Sequence, residues 1–214
     1  MAIRAVIFDL GGVVLPSPLD VFRAYEARHG LPHRFLSEVV IDTGEHGAWS
    51  RLERGELNVQ GFGVAFEAEC AAAGGVVVVA DLLDEIGAGT GPRPEMLAAL
   101  HQIRAHGLAT AALTNNWSTG DERQMGTHYP EMMTLFDLVV ESTVEGLRKP
   151  DPRIYELTCD RLGVGPEQAV FLDDLGVNLK TARALGITTI KVSEPAAALA
   201  ELETVLGFAL APVS

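Results

Sequence analysis

The chain has 214 residues, 48% hydrophobic and 21% charged. That is an ordinary globular composition, with room for one α/β domain and a sizeable insertion, or for two small domains. Its 29 acidic residues outweigh 16 lysines and arginines, for a formal net charge of -13, which argues against binding nucleic acid or an anionic membrane through bulk charge. Cys70 and Cys159 lie far apart and imply no disulfide framework. Met1–Phe8 is too short, and interrupted by Arg4, for a secretory leader, and no window approaches a membrane span. The expectation is a cytoplasmic protein, with no nucleic-acid or membrane partner, acting as a monomer or homodimer.

In chain order, Ala5-Val6-Ile7-Phe8 reads as a buried parallel strand, ending in Asp9 and followed by Leu10-Gly11-Gly12-Val13. Helical patterns follow at Leu19–His29, Pro32–Ile41, Asn58–Ala73 and Ala80–Ile86, with Asn58 a candidate cap. Val76–Val79 fits either a short strand or a buried connector. Gly87-Ala88-Gly89-Thr90-Gly91-Pro92 reads as a linker, because its glycines follow a helix rather than a strand. Strand-like runs then recur at Ala109–Leu113, Leu138–Val140, Ala169–Leu172 and Thr188–Val192. Helices at Pro94–His106, Pro152–Leu162 and Asn178–Leu185 alternate with them, each closed by a glycine. This rhythm predicts a parallel sheet covered by helices. The long helical gap after the first strand predicts an inserted domain over residues 16–90, leaving 1–15 and 91–214 as the core.

In such a sheet the strand ends converge on one crevice. Four features fall there: Asp9, Thr114-Asn115, Lys149-Pro150 and Asp173-Asp174. Taken singly, each has a bland alternative: a cap, a surface lysine, a turn. The adjacent pair Asp173-Asp174 resists its alternative, because two carboxylates at a strand mouth repel unless a cation offsets them. With Asp9, three carboxylates could surround one Mg²⁺, which favours carboxylates plus a substrate phosphate. Lys149 would serve that phosphate as a point charge, with Thr114 and the N–H of Asn115 as donors.

In these motifs, and in the longer stretches Leu113–Trp117, Arg148–Tyr155 and Phe171–Lys180, the chain resembles the haloacid dehalogenase-like hydrolase superfamily. The longer stretches look like the N-terminal phosphatase domain of soluble epoxide hydrolases and its stand-alone bacterial relatives. The resemblance implies a Rossmann-like core with a helical cap inserted after the first strand, and a phosphatase acting on a small phosphorylated substrate. It implies Asp9 as nucleophile, Thr114, Asn115 and Lys149 on the phosphoryl group, and Mg²⁺ on Asp9, the Gly11 carbonyl, Asp174 and Asp173. Asn178 would orient the Asp173-Asp174 loop or cap a helix. Family phosphatases usually carry Asp two residues after the nucleophile as acid and base; here that residue is Gly11. Glu45, His46 and Glu53 are candidate substitutes, each with a surface residue as its bland alternative. Two alternatives share the scaffold: a metal-independent 2-haloacid dehalogenase recruiting Arg51 or Arg54, and a catalytically weak or inactive ligand-binding protein. Trp49 and Trp117 are read as packing or crevice residues, and Glu26 and Glu201–Glu203 as solvated helix faces.

Overall fold

The computed structural model describes residues 2–88, 91–117 and 129–210. Five strands form one parallel sheet: β1 (Ala5–Phe8), β2 (Ala109–Thr114), β3 (Leu138–Glu141), β4 (Ala169–Asp173) and β5 (Thr188–Lys191), in the order β3-β2-β1-β4-β5. β1 is central and wholly buried, which is why its apolar run does not alternate with polar residues. Successive side chains point to opposite faces. Val6 and Phe8 pack with Met96, Leu100 and Leu202, whereas Ala5 and Ile7 pack with Tyr155, Cys159 and Leu179.

Five helices lie between β1 and the return to the core. They are α1 (Pro18–His29), α2 (Phe35–Thr43), α3 (Ala48–Glu53), α4 (Val59–Ala72) and α5 (Val79–Gly87). Their starts follow from local chemistry. The Ser17 hydroxyl accepts the N–H of Leu19 ahead of Pro18, and Asn58 Oδ1 accepts the N–H of Gly61 at 2.8 Å. They bury their own apolar cluster, including Phe22, Tyr25, Trp49, Phe62 and Phe66, and it also takes in Trp117 from beyond β2. This is the helical cap inserted after the first strand. Val76–Val78 proves a connector, and Val79 opens α5. Of the linker that follows, Gly89 and Thr90 lie outside the described residues.

The sheet is covered by α6 (Pro94–Ala105), α9 (Pro152–Leu162), α10 (Gly176–Ala184) and α11 (Pro195–Leu206), with short α7 (Pro130–Met133) and α8 (Ser142–Glu145) between. Among the described residues, no helix is long and apolar enough to cross a membrane. Phe8 pairs with Ala112 of β2 and with Leu172 of β4. One residue beyond Phe8 and Leu172 come Asp9 and Asp173, so strand register alone sets these two carboxylates side by side. The chain runs from β1 outward to β2 and β3, then crosses back to β4 on the other side. The crevice is therefore at a topological switch point.

Candidate active site

Asp9, Asp173 and Asp174 each offer an oxygen within 4.8 Å of the others. Lys149 stands among them, 1% exposed, with Nζ 2.8 Å from Asp9 Oδ1 and 2.8 Å from Asp173 Oδ2. Burial opposes the charge on Lys149, but Asp173 and Asp9 outweigh it and hold the ammonium above its ordinary range. Burial, together with Asp173 and Asp174, drives the Asp9 carboxyl well above the usual carboxylate range, although Lys149 pulls it back. Burial and then Asp173 push Asp174 up to about 6. Three carboxylates facing a single lysine leave excess negative charge in a low-dielectric crevice. An all-oxygen set of this kind suits a hard divalent cation.

The three carboxylates differ in what they have to spare. Asp173 is fully buried and accepts from Lys149, from the N–H of Leu175 at 2.7 Å, and from Asn178 Nδ2 at 3.1 and 3.0 Å. That fills the acceptor capacity of a carboxylate. Asp9 takes the Leu10 N–H at 2.7 Å and Lys149 on the same oxygen, Oδ1, so Oδ2 is its freer face. Asp174 Oδ2 accepts the Ser17 hydroxyl at 3.3 Å. Asn178 sits inside α10 rather than at its cap, which is Leu175. Its side-chain amide steadies Asp173, and its backbone carbonyl accepts the Tyr155 hydroxyl at 3.1 Å.

Thr114 ends β2 and is buried, its hydroxyl 3.4 Å from the Asn115 carbonyl. The Asn115 side chain clamps the backbone of Lys149 twice: Oδ1 accepts its N–H at 2.9 Å and Nδ2 donates to its C=O at 3.0 Å. Each glycine after Asp9 has its own neighbour. Gly12 is at φ 82°, and a Cβ there would come within 2.2 Å of Asp174 Oδ2, so Asp174 requires glycine at that position. At Gly11 a Cβ would meet the Pro18 ring at 3.3 Å. The space beside the missing acid is thus bordered by Pro18, the first residue of α1.

The candidate substitutes separate. Glu45 and His46 are exposed, on a shallow cleft shared with Arg54 and Arg153. Glu53 is not a surface residue. It is 7% exposed and bound to Trp49 and Arg148. Arg51 and Arg54 are both paired with Glu56. Glu26 also departs from its expected exposure: it is 2% exposed and accepts the N–H groups of Arg34 and Leu36 at 2.8 and 2.9 Å, at the start of α2. Sequence reading missed the buried Asn116 network, in which Asn116 reaches Glu141 at 2.6 Å and the Ser142 hydroxyl accepts the Asn116 N–H at 2.9 Å. These bonds tie the ends of β2 and β3 together. The polar run Glu141-Ser142-Thr143 at the end of β3 was the one available signal.

A parallel sheet with a cap spliced in after β1 and carboxylates at the switch point defines a class of hydrolases. The chain belongs to the haloacid dehalogenase-like hydrolase family, whose model matches residues 3–186. It is 43% identical over 212 residues to mouse (Mus musculus) acyl-CoA dehydrogenase family member 10, covering 97% of this chain and 19% of that protein. It is 36% identical over 222 residues to bifunctional epoxide hydrolase 2 of Sus scrofa, covering 98% of this chain and 40% of the other. The chain thus spans well under half of these relatives. Among solved structures it is similar to a dehalogenase with an intermediate complex (22% identity, TM-score 0.68, 96% and 97% of the two chains). A HAD family enzyme of Bacteroides thetaiotaomicron, solved with magnesium and inorganic phosphate, is also similar (18% identity, TM-score 0.62, 89% and 94%).

Proposed function

We propose that the chain is a Mg²⁺-dependent phosphatase of a small phosphorylated metabolite. Its core would be residues 1–15 and 91–214, and its cap 16–90. The observation that carries this reading is Lys149 held at 2.8 Å from both Asp9 and Asp173 beside Asp174. One buried cation among three carboxylates leaves a place for a second, and that pair of positive charges matches a phosphate.

Asp9 Oδ2 attacks phosphorus, the bond to the leaving oxygen breaks, and an aspartyl-phosphate forms. Water then cleaves this acyl-phosphate, releasing inorganic phosphate and restoring the carboxylate. Lys149 and the hydroxyl of Thr114 hold the phosphoryl oxygens, where electrostatic positioning does most of the work. Asp173 aims Lys149. Asp9, Asp174 and the Gly11 carbonyl would hold Mg²⁺, with Asp173, its acceptors filled, acting beside it or through water. Mg²⁺ supplies the charge that offsets the carboxylates and the phosphate. With glycine at position 11 no side chain protonates the leaving oxygen there, so substrates with good leaving groups are favoured. The dehalogenase reading is weaker, since Arg51 and Arg54 are paired with Glu56 rather than presented to a carboxylate substrate.

A panel of sugar, aryl and nucleotide phosphates, assayed with Mg²⁺ and with chelator, tests the reading. Mg²⁺-dependent release of phosphate is expected. Chelator-insensitive chloride release from 2-chloropropionate, with no phosphate released from any ester, would replace it.

A further inference from the structure

Glu53 takes no part in the reaction above, yet it joins the cap to the centre of the site. Both its oxygens are engaged. Oε1 accepts the Trp49 indole N–H at 2.9 Å, one turn back on α3. Oε2 accepts Nε of Arg148 at 2.7 Å and lies 3.5 Å from Nδ2 of Asn115, and both of these belong to the core. Arg148 directly precedes Lys149, and Asn115 grips the Lys149 backbone from both sides. Lys149 in turn reaches Asp9 and Asp173. A cap carboxylate therefore stands at one end of a chain of polar contacts whose other end is the candidate nucleophile.

Two contacts close around Glu53. Gly55, at φ 71°, lies so near the core that a Cβ would stand 3.0 Å from the Thr143 carbonyl. The Trp49 ring meets Trp117 of the core edge-on, with centroids 5.6 Å apart. Both Glu53 oxygens are turned to Trp49, Arg148 and Asn115 rather than to a leaving group. A buried charge whose partner sits in the other lobe is costly to strand, so the pair favours the closed cap.

We propose that Glu53 is a positioning residue: it latches α3 to Arg148 and, through Arg148 and Asn115, holds Lys149 in line with Asp9 and Asp173. The kinetic half of this proposal rests on the phosphatase reading, and the latch itself does not. The chain's two tryptophans face each other across the seam, so their emission reports its opening without any turnover.

The test compares Glu53→Gln, Arg148→Met and the double variant with the wild type, using p-nitrophenyl phosphate with Mg²⁺ and tryptophan emission. Far-ultraviolet dichroism checks folding. Each single variant is expected to lose about 10–100-fold in kcat with little change in KM, the usual scale for a residue supporting a first-contact group. Emission should shift to the red, and the double variant should lose no more than the worse single one. The pH–rate profile should keep its shape. Should Glu53→Gln not fold, Arg148→Met, whose side chain is partly exposed, carries the test. Wild-type rates in both single variants, additive losses, or disappearance of one limb of the pH profile would overturn the positioning role. If the wild type hydrolyses no phosphate ester, the phosphatase reading fails. Emission then decides: a red shift in both variants keeps the latch, and unchanged emission removes it.

Discussion

At the scale of single residues, the two glycines behind Asp9 do different work. Gly12 is required by Asp174, whose oxygen occupies the space of a Cβ, and by its positive φ. Gly12→Ala is expected to cost about 1–3 kcal/mol in urea unfolding, and to raise the Mg²⁺ concentration needed for half-maximal turnover by displacing Asp174. Gly11 is a matter of proton transfer. Gly11→Asp, accommodated by a few tenths of an ångström at Pro18, is expected to speed hydrolysis of alkyl phosphates by up to about 10²-fold. Aryl phosphates, whose leaving groups need no acid, should change little, and the ratio of the two rates is the readout. The sequence revealed the absence at position 11 but not Pro18 beside it, because that contact spans the cap junction.

Among the elements, the strands were readable and the caps only partly so. β1, β2 and β4 announced themselves as short apolar runs because both faces of the sheet are covered there, and the half-buried edge strands β3 and β5 were legible as strand-like runs beside them. α3 did not, since six residues are too few to display a 3.6-residue period. Glu26 looked like a solvated face because its partners, the N–H groups of Arg34 and Leu36, are backbone atoms that no side-chain pattern records. It supplies the start of α2 with an anion and two acceptors. Glu26→Gln keeps one acceptor and turns an amide N–H toward the other N–H, so a loss of about 1.5–3 kcal/mol is expected by chemical denaturation. Asp137 does similar service at the start of β3. It accepts from the Thr110 N–H at 2.8 Å, the Thr110 hydroxyl at 3.1 Å and Arg104 at 2.6 Å. Burial raises its pKa, but these bonds outweigh it and hold the group below its ordinary 3.8. A depressed carboxylate contributes stability that is present above its unfolded value and lost as pH falls through its folded one. The difference in urea midpoint between wild type and Asp137→Asn should therefore be full at pH 6 and fade below pH 3.8.

For the whole molecule, one sheet edge gathers residues from four distant parts of the chain, and the inserted helices cover it. Asp9, Thr114 and Asp173 were readable because each ends or directly follows an apolar strand, and the strand order does the rest. Lys149 was readable only in company. Alone before a proline it looks like a surface residue, and its burial follows from the two carboxylates that receive it. The seam between cap and core was the least readable part. Trp49, Glu53, Trp117 and Arg148 are separated by up to 99 residues, and no local period links them. The most direct test is the rate of p-nitrophenyl phosphate hydrolysis by wild type and Asp9→Asn, each with Mg²⁺ and with excess chelator. Turnover is expected only in the wild type with Mg²⁺, with Asp9→Asn slower by about 10³-fold or more. Equal rates in the two proteins, or a wild-type rate indifferent to chelator, would contradict an aspartyl nucleophile working beside a metal.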